Sequence, residues 1–190
     1  DNTFKSALRE RYHVVGSSLA KNLTGVVNSK EVYPGGKLLR GGREIYSQIQ
    51  YALLRKSHLV CIIGGNDLFN QNGKFLKDES EILMDKIRYL LEYRIQFWES
   101  NPNHLIWSLI IPRYTRIREN IHNVREFNSK LRKLIRSIRS RTRTRINYLN
   151  TDDIYDQALF SHDGVHLNER GRTALIRALY DANKAKMYSH

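Results

Sequence analysis

The sequence predicts an α/β protein in which a five-stranded parallel sheet lies between two layers of helices, a three-layer αβα sandwich. Three observations predict this class. Five β-rich runs alternate with longer helical patterns along the 190 residues. Two of the runs, 59–63 and 105–111, are continuous apolar segments, as expected of parallel strands covered on both faces. The βαβα order implies right-handed crossovers, which put helices on both sides of the sheet.

The predicted strands are short runs rich in residues that favour extended structure. In chain order they cover 13–15, 31–33, 59–63, 105–111 and 146–149. The predicted helices, in which apolar residues recur every three or four positions, cover 43–56, 79–99, 118–140 and 168–185. In the second helix the predicted core positions are Ile82, Leu83, Ile87, Leu90, Leu91, Ile95 and Trp98.

Composition bounds the possible functions. The formal net charge of +13 points to an anionic partner, which can be nucleic acid, an acidic membrane surface or an acidic substrate. Cys61 is the single cysteine, so no internal disulfide can form, and a reducing compartment is favoured. No apolar run approaches the ~20 residues of a transmembrane helix. Because the chain starts at Asp1 without a signal-peptide pattern, we expect residues 1–190 to be one domain of a longer intracellular, cytoplasmic protein.

Four short polar segments follow predicted strands or lie shortly after the last one. They are Gly16-Ser17-Ser18-Leu19, Pro34-Gly35-Gly36, Gly64-Gly65-Asn66-Asp67 and Asp163-Gly164-Val165-His166. Ligands of such sheets bind beyond the carboxyl ends of the strands. We therefore expect all four segments on one rim, where together they supply the parts needed to attack an ester carbonyl.

Ser18 and His166 form the predicted reactive pair. Ser18 would begin the helix after the first strand, where outward-pointing amides favour a developing negative charge. A serine hydroxyl needs a base, and an imidazole supported by a carboxylate such as Asp163 can serve near neutral pH. Each residue also has a structural alternative. Ser18 can be a helix N-cap, and Asp163-Gly164 can be a turn beside a packing histidine.

Asn66 and the glycines of the second segment are candidate donors to an oxyanion. The Asn66 side chain can donate from its amide, and a backbone N–H of Gly35 or Gly36 can approach the same oxygen. The alternatives are turn roles, since Gly-Asn-Asp is good turn chemistry and a turn glycine can serve a positive φ. Gly35 is favoured because it lies nearer the second predicted strand, but the residues leave the choice between the two glycines open.

The order of these four segments resembles the SGNH (GDSL-like) hydrolase family, which is named for its Ser, Gly, Asn and His. The resemblance extends from residue 12 to about 185, and its third and fourth segments are close matches. It implies a flavodoxin-like sheet and an esterase that acts on small acyl esters without a metal or organic cofactor. It implies Ser18 as nucleophile, His166 as base and Asp163 as its partner. The implied oxyanion hole consists of the Ser18 and Gly35 amides and the Asn66 side chain. One departure is Ser17, which stands where the family usually has Asp.

A strongly basic segment follows the fourth predicted strand. Residues 113–145 contain twelve Arg or Lys but only Glu119 and Glu126 as acidic residues. The apolar stripe from Ile121 to Ile138 should face the sheet, so the basic side chains should face outward. A solvated face is the usual interpretation of a charge run, but this run is barely mixed and predicts binding to RNA, single-stranded DNA or anionic membrane lipid. The predicted anion-binding residues are Arg125, Arg132, Arg136, Arg139, Arg141, Arg143 and Arg145.

A hydrolase of this family with a basic face is similar to one group in particular. Segments 32–37 (VYPGGK) and 161–168 (SHDGVHLN) resemble the esterase domain in the first-open-reading-frame protein of LINE-type (non-LTR) vertebrate retrotransposons. That resemblance implies a protein that accompanies element RNA in a ribonucleoprotein and self-associates through segments outside this domain. Two hypotheses result: a serine esterase, or a nucleic-acid or lipid binding module on a hydrolase scaffold.

Overall fold

The computed structural model describes residues 11–39, 41–55, 57–98, 103–142 and 145–186. Its strands are β1 (Tyr12–Gly16), β2 (Ser29–Val32), β3 (His58–Ile62), β4 (Leu105–Ser108) and β5 (Ile146–Leu149). They form one sheet in the order β2-β1-β3-β4-β5, and every neighbouring pair is parallel. The predicted five-stranded parallel sheet is confirmed, and its order is the flavodoxin-like one.

The helices are α1 (Tyr46–Leu53), α2 (Gly65–Leu68), α3 (Lys77–Trp98), α4 (Glu119–Arg141) and α5 (Glu169–Lys186). Three short 3₁₀ helices cover Ser18–Leu23, Asp152–Ile154 and Gln157–Leu159. The ends of the first two long predicted helices, Lys56 and Glu99, lie outside the described residues. No helix in the described part of the chain is long and apolar enough to cross a membrane.

Two apolar clusters flank the sheet because strand side chains alternate between its faces. Val15, Cys61 and Trp107 pack into one cluster with α1, α3 and α4. On the other face, the alternate residues Val14, Val60 and Ile106 pack with the first 3₁₀ helix and α5. The sheet is therefore covered on both sides, and the predicted three-layer sandwich is confirmed.

β4 ends earlier than predicted. The apolar run was expected to form a strand over 105–111, but the strand stops at Ser108. At Ile110, side chains rather than a neighbouring strand form hydrogen bonds with the backbone. Asn128 of α4 accepts from the Ile110 N–H at 2.8 Å and donates to its carbonyl at 2.9 Å, and Thr151 donates to the same carbonyl. These bonds replace ladder bonds, so the backbone leaves the sheet while staying buried.

The apolar stripe of α3 was predicted almost correctly. Leu83, Ile87, Leu90 and Leu91 are buried, but Ile82 is 49% exposed, so its prediction as a core residue is wrong. Ile82 instead lines an open cleft beside the second polar segment. The helix expected to begin at Ser18 is present as a 3₁₀ helix, whereas the short α2 and the other two 3₁₀ helices were not expected, because each is too short to show a hydrophobic period.

Candidate active site

The four polar segments lie at the carboxyl ends of the strands or in the loop before α5. Gly16 ends β1, and a Cβ at this position would lie only 1.9 Å from the Ile62 carbonyl oxygen. The next residue continues this contact, since the Ser17 N–H donates to the same oxygen at 3.0 Å. A glycine is required here because β1 and β3 approach each other so closely as they leave the sheet.

Ser18 is the first residue of the 3₁₀ helix that follows β1, and it is half-buried. The N-cap position belongs to Ser17, whose side chain makes no capping hydrogen bond. The alternative role of Ser18 as the cap therefore does not apply. Its backbone N–H has no hydrogen-bond partner among the described residues, as is usual for the first N–H of a helix. Both its hydroxyl and its amide are free to meet a ligand.

Asp163 and His166 form a hydrogen-bonded pair in an exposed loop. His166 Nδ1 lies 2.5 Å from Asp163 Oδ2, and Asp163 Oδ1 accepts from the backbone N–H groups of Val165 and His166 at 2.9 Å each. Burial alone raises the pKa of Asp163, but these hydrogen bonds and the charge of His166 outweigh it and lower the pKa to about 2. With Nδ1 on the carboxylate, Nε2 is the nitrogen that can take a proton from a hydroxyl.

This loop is anchored to the residues that follow β4. The Tyr114 N–H donates to the Gly164 carbonyl at 2.8 Å. Gly164 has φ +70°, and a Cβ there would lie 1.9 Å from the Tyr114 carbonyl oxygen. Both observations require a glycine. The Asp163-Gly164 turn that sequence reasoning weighed as an alternative to catalysis is therefore present together with the carboxylate–imidazole pair.

Ser18 and His166 belong to segments that pack together. α5, which begins three residues after His166, contacts the 3₁₀ helix that Ser18 begins, and Arg172 Nε donates to the Asn22 carbonyl at 3.0 Å. Their neighbours Leu19 and Leu167 pack against the same apolar cluster. No hydrogen bond joins the Ser18 hydroxyl to the His166 ring in the described part of the chain. Such bonds are often loose before substrate binds.

The second segment forms a turn that distinguishes its two glycines. The Gly36 N–H donates to the Tyr33 carbonyl at 2.9 Å and so closes a turn through Pro34 and Gly35. Gly35 has φ +73°, which is the conformation that a type II turn needs at this position. The Gly35 N–H makes no hydrogen bond within the described residues, so it is the amide that remains available.

Asn66 lies in α2 and joins the second segment to the third. Its Nδ2 donates to the Gly36 carbonyl at 3.1 Å, and its Oδ1 accepts from Arg113 at 2.8 Å. The next residue, Asp67, is buried and accepts from the Leu38 and Leu39 N–H groups at 3.1 and 2.7 Å. Burial raises the pKa of Asp67, and these two hydrogen bonds oppose the shift.

A cleft of about 1400 Å³ opens beside Gly35 and Asn66. Its walls come from the loop after β2, which includes Lys37, and from α2 and α3; Tyr46 at the start of α1 and Arg113 after β4 complete them. Ser18 and His166 do not line it. The cleft therefore borders the predicted oxyanion side of the site rather than the predicted nucleophile and base. Its volume is much larger than that of a short acyl group.

Arg113 is the residue of this site that sequence reasoning missed. It was counted with the basic run 113–145, but it lies in the cleft, where its Cζ is 4.8 Å from the centre of the Phe69 ring. Burial lowers the pKa of its guanidinium, and the Asp163 carboxylate opposes that shift. The only signal in the sequence is its place five residues after β4, at the same rim as the other segments.

The predicted anion-binding arginines that the structure describes lie on α4 or shortly after it, and many have partners. Arg132 pairs with Asp152 at 3.1 Å, and Arg136 donates to the Tyr148 hydroxyl at 3.0 Å. Arg125 stacks 4.3 Å from the centre of the Tyr155 ring, and Arg141 lies 3.8 Å from Glu92. The side chains of Arg139 and Arg145 have no ion pair in the described residues, whereas Arg143 lies outside them.

Comparisons with known proteins agree with this fold. A family model described as GDSL-like lipase/acylhydrolase matches residues 2–179. No curated protein sequence matches the chain. A crystal structure of an acetyl esterase with an acetate ion has 10% sequence identity and a TM-score of 0.65, with 92% of this chain and 96% of that one covered.

Two further solved structures are similar. The carbohydrate esterase family 3 protein from Talaromyces cellulolyticus shares 11% identity at a TM-score of 0.64, covering 92% of this chain and 96% of that one. The esterase domain of the ORF1 protein from the zebrafish ZfL2-1 retrotransposon shares 20% identity at a TM-score of 0.45, covering 92% of this chain and 99% of that one.

Proposed function

The chain belongs to the GDSL-like lipase/acylhydrolase family, and from this premise we propose that residues 1–190 form a serine esterase domain that hydrolyses short acyl esters. Ser18 is the nucleophile, His166 the base and Asp163 the group that orients it. The amides of Ser18 and Gly35 and the side chain of Asn66 form the oxyanion hole.

Each residue has a defined part in the two half-reactions. His166 Nε2 takes the Ser18 hydroxyl proton as Oγ attacks the ester carbonyl carbon. The negative charge on the carbonyl oxygen is stabilised by the oxyanion donors. The proton then passes from His166 to the leaving alcohol as the ester C–O bond breaks, which leaves an acyl group on Ser18. A water molecule, deprotonated by His166, releases the acid and restores the serine.

The observation that carries this proposal is the Asp163–His166 hydrogen bond at Nδ1. It holds the imidazole in the tautomer whose Nε2 can act as a base, and a carboxylate with a pKa lowered to about 2 is ionised near neutral pH. The Gly35 and Ser18 amides, which have no hydrogen-bond partner among the described residues, support the oxyanion hole independently.

The test is hydrolysis of p-nitrophenyl acetate by the purified chain. Acetate is the first acyl group to try because an acetyl esterase is among the proteins of similar fold. We expect turnover in the native chain and a loss of about 10⁴-fold or more in Ser18→Ala. Ser17→Ala is the matched control and should retain turnover, since that side chain makes no capping hydrogen bond. Unchanged turnover in Ser18→Ala would remove this serine from the mechanism.

A second candidate function is binding of a phosphate-rich polymer by the α4 surface. Three basic residues of α4 have at most a weak ion pair among the described residues. Lys130 lies 3.9 Å from Glu126, and within the part of the chain that the structure describes no ion pair forms at Lys133 or Arg139. This surface favours nucleic acid over a small anion because its charges extend along a 23-residue helix. Affinity for a single-stranded oligonucleotide should fall by orders of magnitude between 50 and 200 mM salt. A flat response would exclude phosphate contacts, and binding to anionic vesicles alone would identify a lipid surface instead.

We also propose that the domain comes from a LINE-type retrotransposon first-open-reading-frame protein, is intracellular and accompanies element RNA. Segments 32–37 and 161–168 and the basic α4 support this origin. The genomic sequence around the coding region tests it. A downstream reading frame with a reverse transcriptase is expected, and an isolated single-copy gene would contradict the proposal.

A further inference from the structure

Arg113 is held against the amide of Asn66 by several contacts. Its Nη2 donates to Asn66 Oδ1 at 2.8 Å, and its guanidinium lies over the Phe69 ring at 4.8 Å. Gly65 lies next to this group, since a Cβ at that position would be 3.5 Å from Nη2. The guanidinium is therefore fixed in position beside the start of α2.

This contact decides which end of the Asn66 amide faces which neighbour. The oxygen and nitrogen of an asparagine have nearly the same shape, so only hydrogen bonds distinguish its two orientations. A guanidinium has donors but no acceptor, so the atom that faces Arg113 must be Oδ1. Nδ2 is then the atom at the Gly36 carbonyl. A flipped amide would place two donors together on one side and two acceptors on the other.

We propose that Arg113 is a positioning residue for the oxyanion hole: it fixes the Asn66 amide so that Nδ2 faces the site and donates to the developing negative charge. The inference rests on the proposed function. Arg113 does not touch the reacting atoms itself. Its positive charge also withdraws electron density from the amide through Oδ1, which makes Nδ2 a stronger donor.

A purely structural role accounts less well for this arginine. Arg113 is half-buried and forms no ion pair among the described residues, although burial disfavours its charged form. Taking a cation out of water costs stability, and the nearby Asp163 carboxylate offsets only part of that cost for Arg113. A catalytic role explains why the chain carries this cost in stability: a preorganised positive charge near a developing oxyanion stabilises the transition state.

The experiment is a double-mutant cycle on p-nitrophenyl ester hydrolysis. Arg113→Met keeps a long stem over Phe69 but removes the donor. We expect kcat to fall about 10- to 100-fold, the effect of losing one charge-assisted hydrogen bond, with little change in KM. Asn66→Ala should fall about 10²- to 10³-fold. In the Asn66→Ala background the Arg113→Met substitution should cost less than about twofold, because its partner is already gone.

Controls separate positioning from loss of fold. Arg116→Met changes an exposed arginine three residues away that does not line the cleft, and it should leave kcat and KM unchanged. Urea unfolding is measured for every variant. If Arg113→Met fails to fold cooperatively, Arg113→Lys replaces it in the cycle. Lysine keeps the charge but not the fixed planar donor group, so an intermediate kcat is expected.

The possible outcomes are distinct. Losses that multiply in the double variant would mean that Arg113 acts independently of Asn66, and the inference would be wrong. A native kcat in both Arg113 variants would overturn it as well. If Asn66→Ala itself has native activity, the oxyanion hole proposed above fails and the positioning role fails with it. If Asn66→Ala has a low kcat while both Arg113 variants have the native kcat, only the positioning role is overturned and the oxyanion hole stands.

Discussion

The two sides of the candidate site are built in different ways. On the oxyanion side, Asn66 is hydrogen-bonded at both ends of its amide, and the buried Asp67 ties α2 to the loop after β2. On the base side, Asp163 and His166 have side chains that are 48% and 51% exposed. Among the described residues, the hydrogen bonds of this pair stay within their own loop, and the Tyr114 N–H reaches that loop at the Gly164 carbonyl.

This difference fits the roles proposed for the two sides. Groups that stabilise a developing charge work best when they do not reorganise during the reaction. A general base has to reach a hydroxyl, a leaving alcohol and a water molecule in turn, so it needs access and some freedom. In the proposed mechanism, therefore, Asn66 is held by hydrogen bonds to two distant segments, whereas the tautomer of His166 depends on the local bond to Asp163.

The largest expected effect is on the base side, where Asp163→Asn breaks the tautomer control. The amide would present its NH₂ group to His166 Nδ1, so the ring would carry its proton on Nε2 and could no longer accept one from Ser18. We expect kcat to fall by about 10⁴-fold, the loss seen when a triad aspartate becomes asparagine. Steady-state hydrolysis of p-nitrophenyl acetate measures it.

Asp156→Asn is the matched control for that variant. Asp156 is an exposed carboxylate in the same region, and its side chain accepts only from the Ala158 N–H at 2.9 Å. An amide oxygen can accept the same bond, so turnover should not change. Equal losses in both variants would show that the region tolerates no substitution and would remove the support for a specific role of Asp163.

The next largest expected effect is on the stability of the fold and comes from the oxyanion side. Asp67→Ala leaves the N–H groups of Leu38 and Leu39 without their acceptor in a buried place. Each unsatisfied amide should lower the free energy of unfolding by about 1–3 kcal/mol, as measured by urea denaturation. The exposed Asp181→Ala, within α5, is the control and should not be destabilised. Native stability in Asp67→Ala would mean that the oxyanion side is not held together as described.

The smallest expected effect is the acid dependence of stability. The pKa of Asp163 is lowered in the folded chain from 3.8 to about 2, so its interactions stabilise the fold above pH 4 and are lost as the pH falls toward 2. The contribution is small because the carboxylate is half exposed. Urea unfolding between pH 5 and pH 2 should show a slightly steeper loss in the native chain than in Asp163→Asn. Identical slopes would indicate that the pair is not formed in solution.

Much of the scaffold could be predicted because its signals are local. The apolar runs at β3 and β4 can be buried on both faces only in a covered parallel sheet, and the alternation with helices sets its layers. The four polar segments could be placed on one rim for the same reason. The Asp163–His166 contact was also accessible, since three residues on a turn can bring two side chains together.

The remaining features depend on contacts between distant segments. The early end of β4 requires Asn128, eighteen positions later than Ile110, to replace the ladder bonds. The exposure of Ile82 depends on the cleft that α3 shares with the loop after β2. Arg113 looked like one member of a basic run, and only its contact with Asn66, 47 positions away, separates it from the arginines of α4. Periodicity carries no information about such pairs.

The central claim is that Ser18 is a nucleophile activated by His166, and covalent labelling tests it most directly. The chain is incubated with a fluorophosphonate, which transfers its phosphonyl group to an activated serine with loss of fluoride, and the labelled peptide is identified by mass spectrometry. Labelling of Ser18 that disappears in His166→Ala is the predicted result. Labelling confined to another residue, or equal labelling of Ser18 without His166, would contradict the claim.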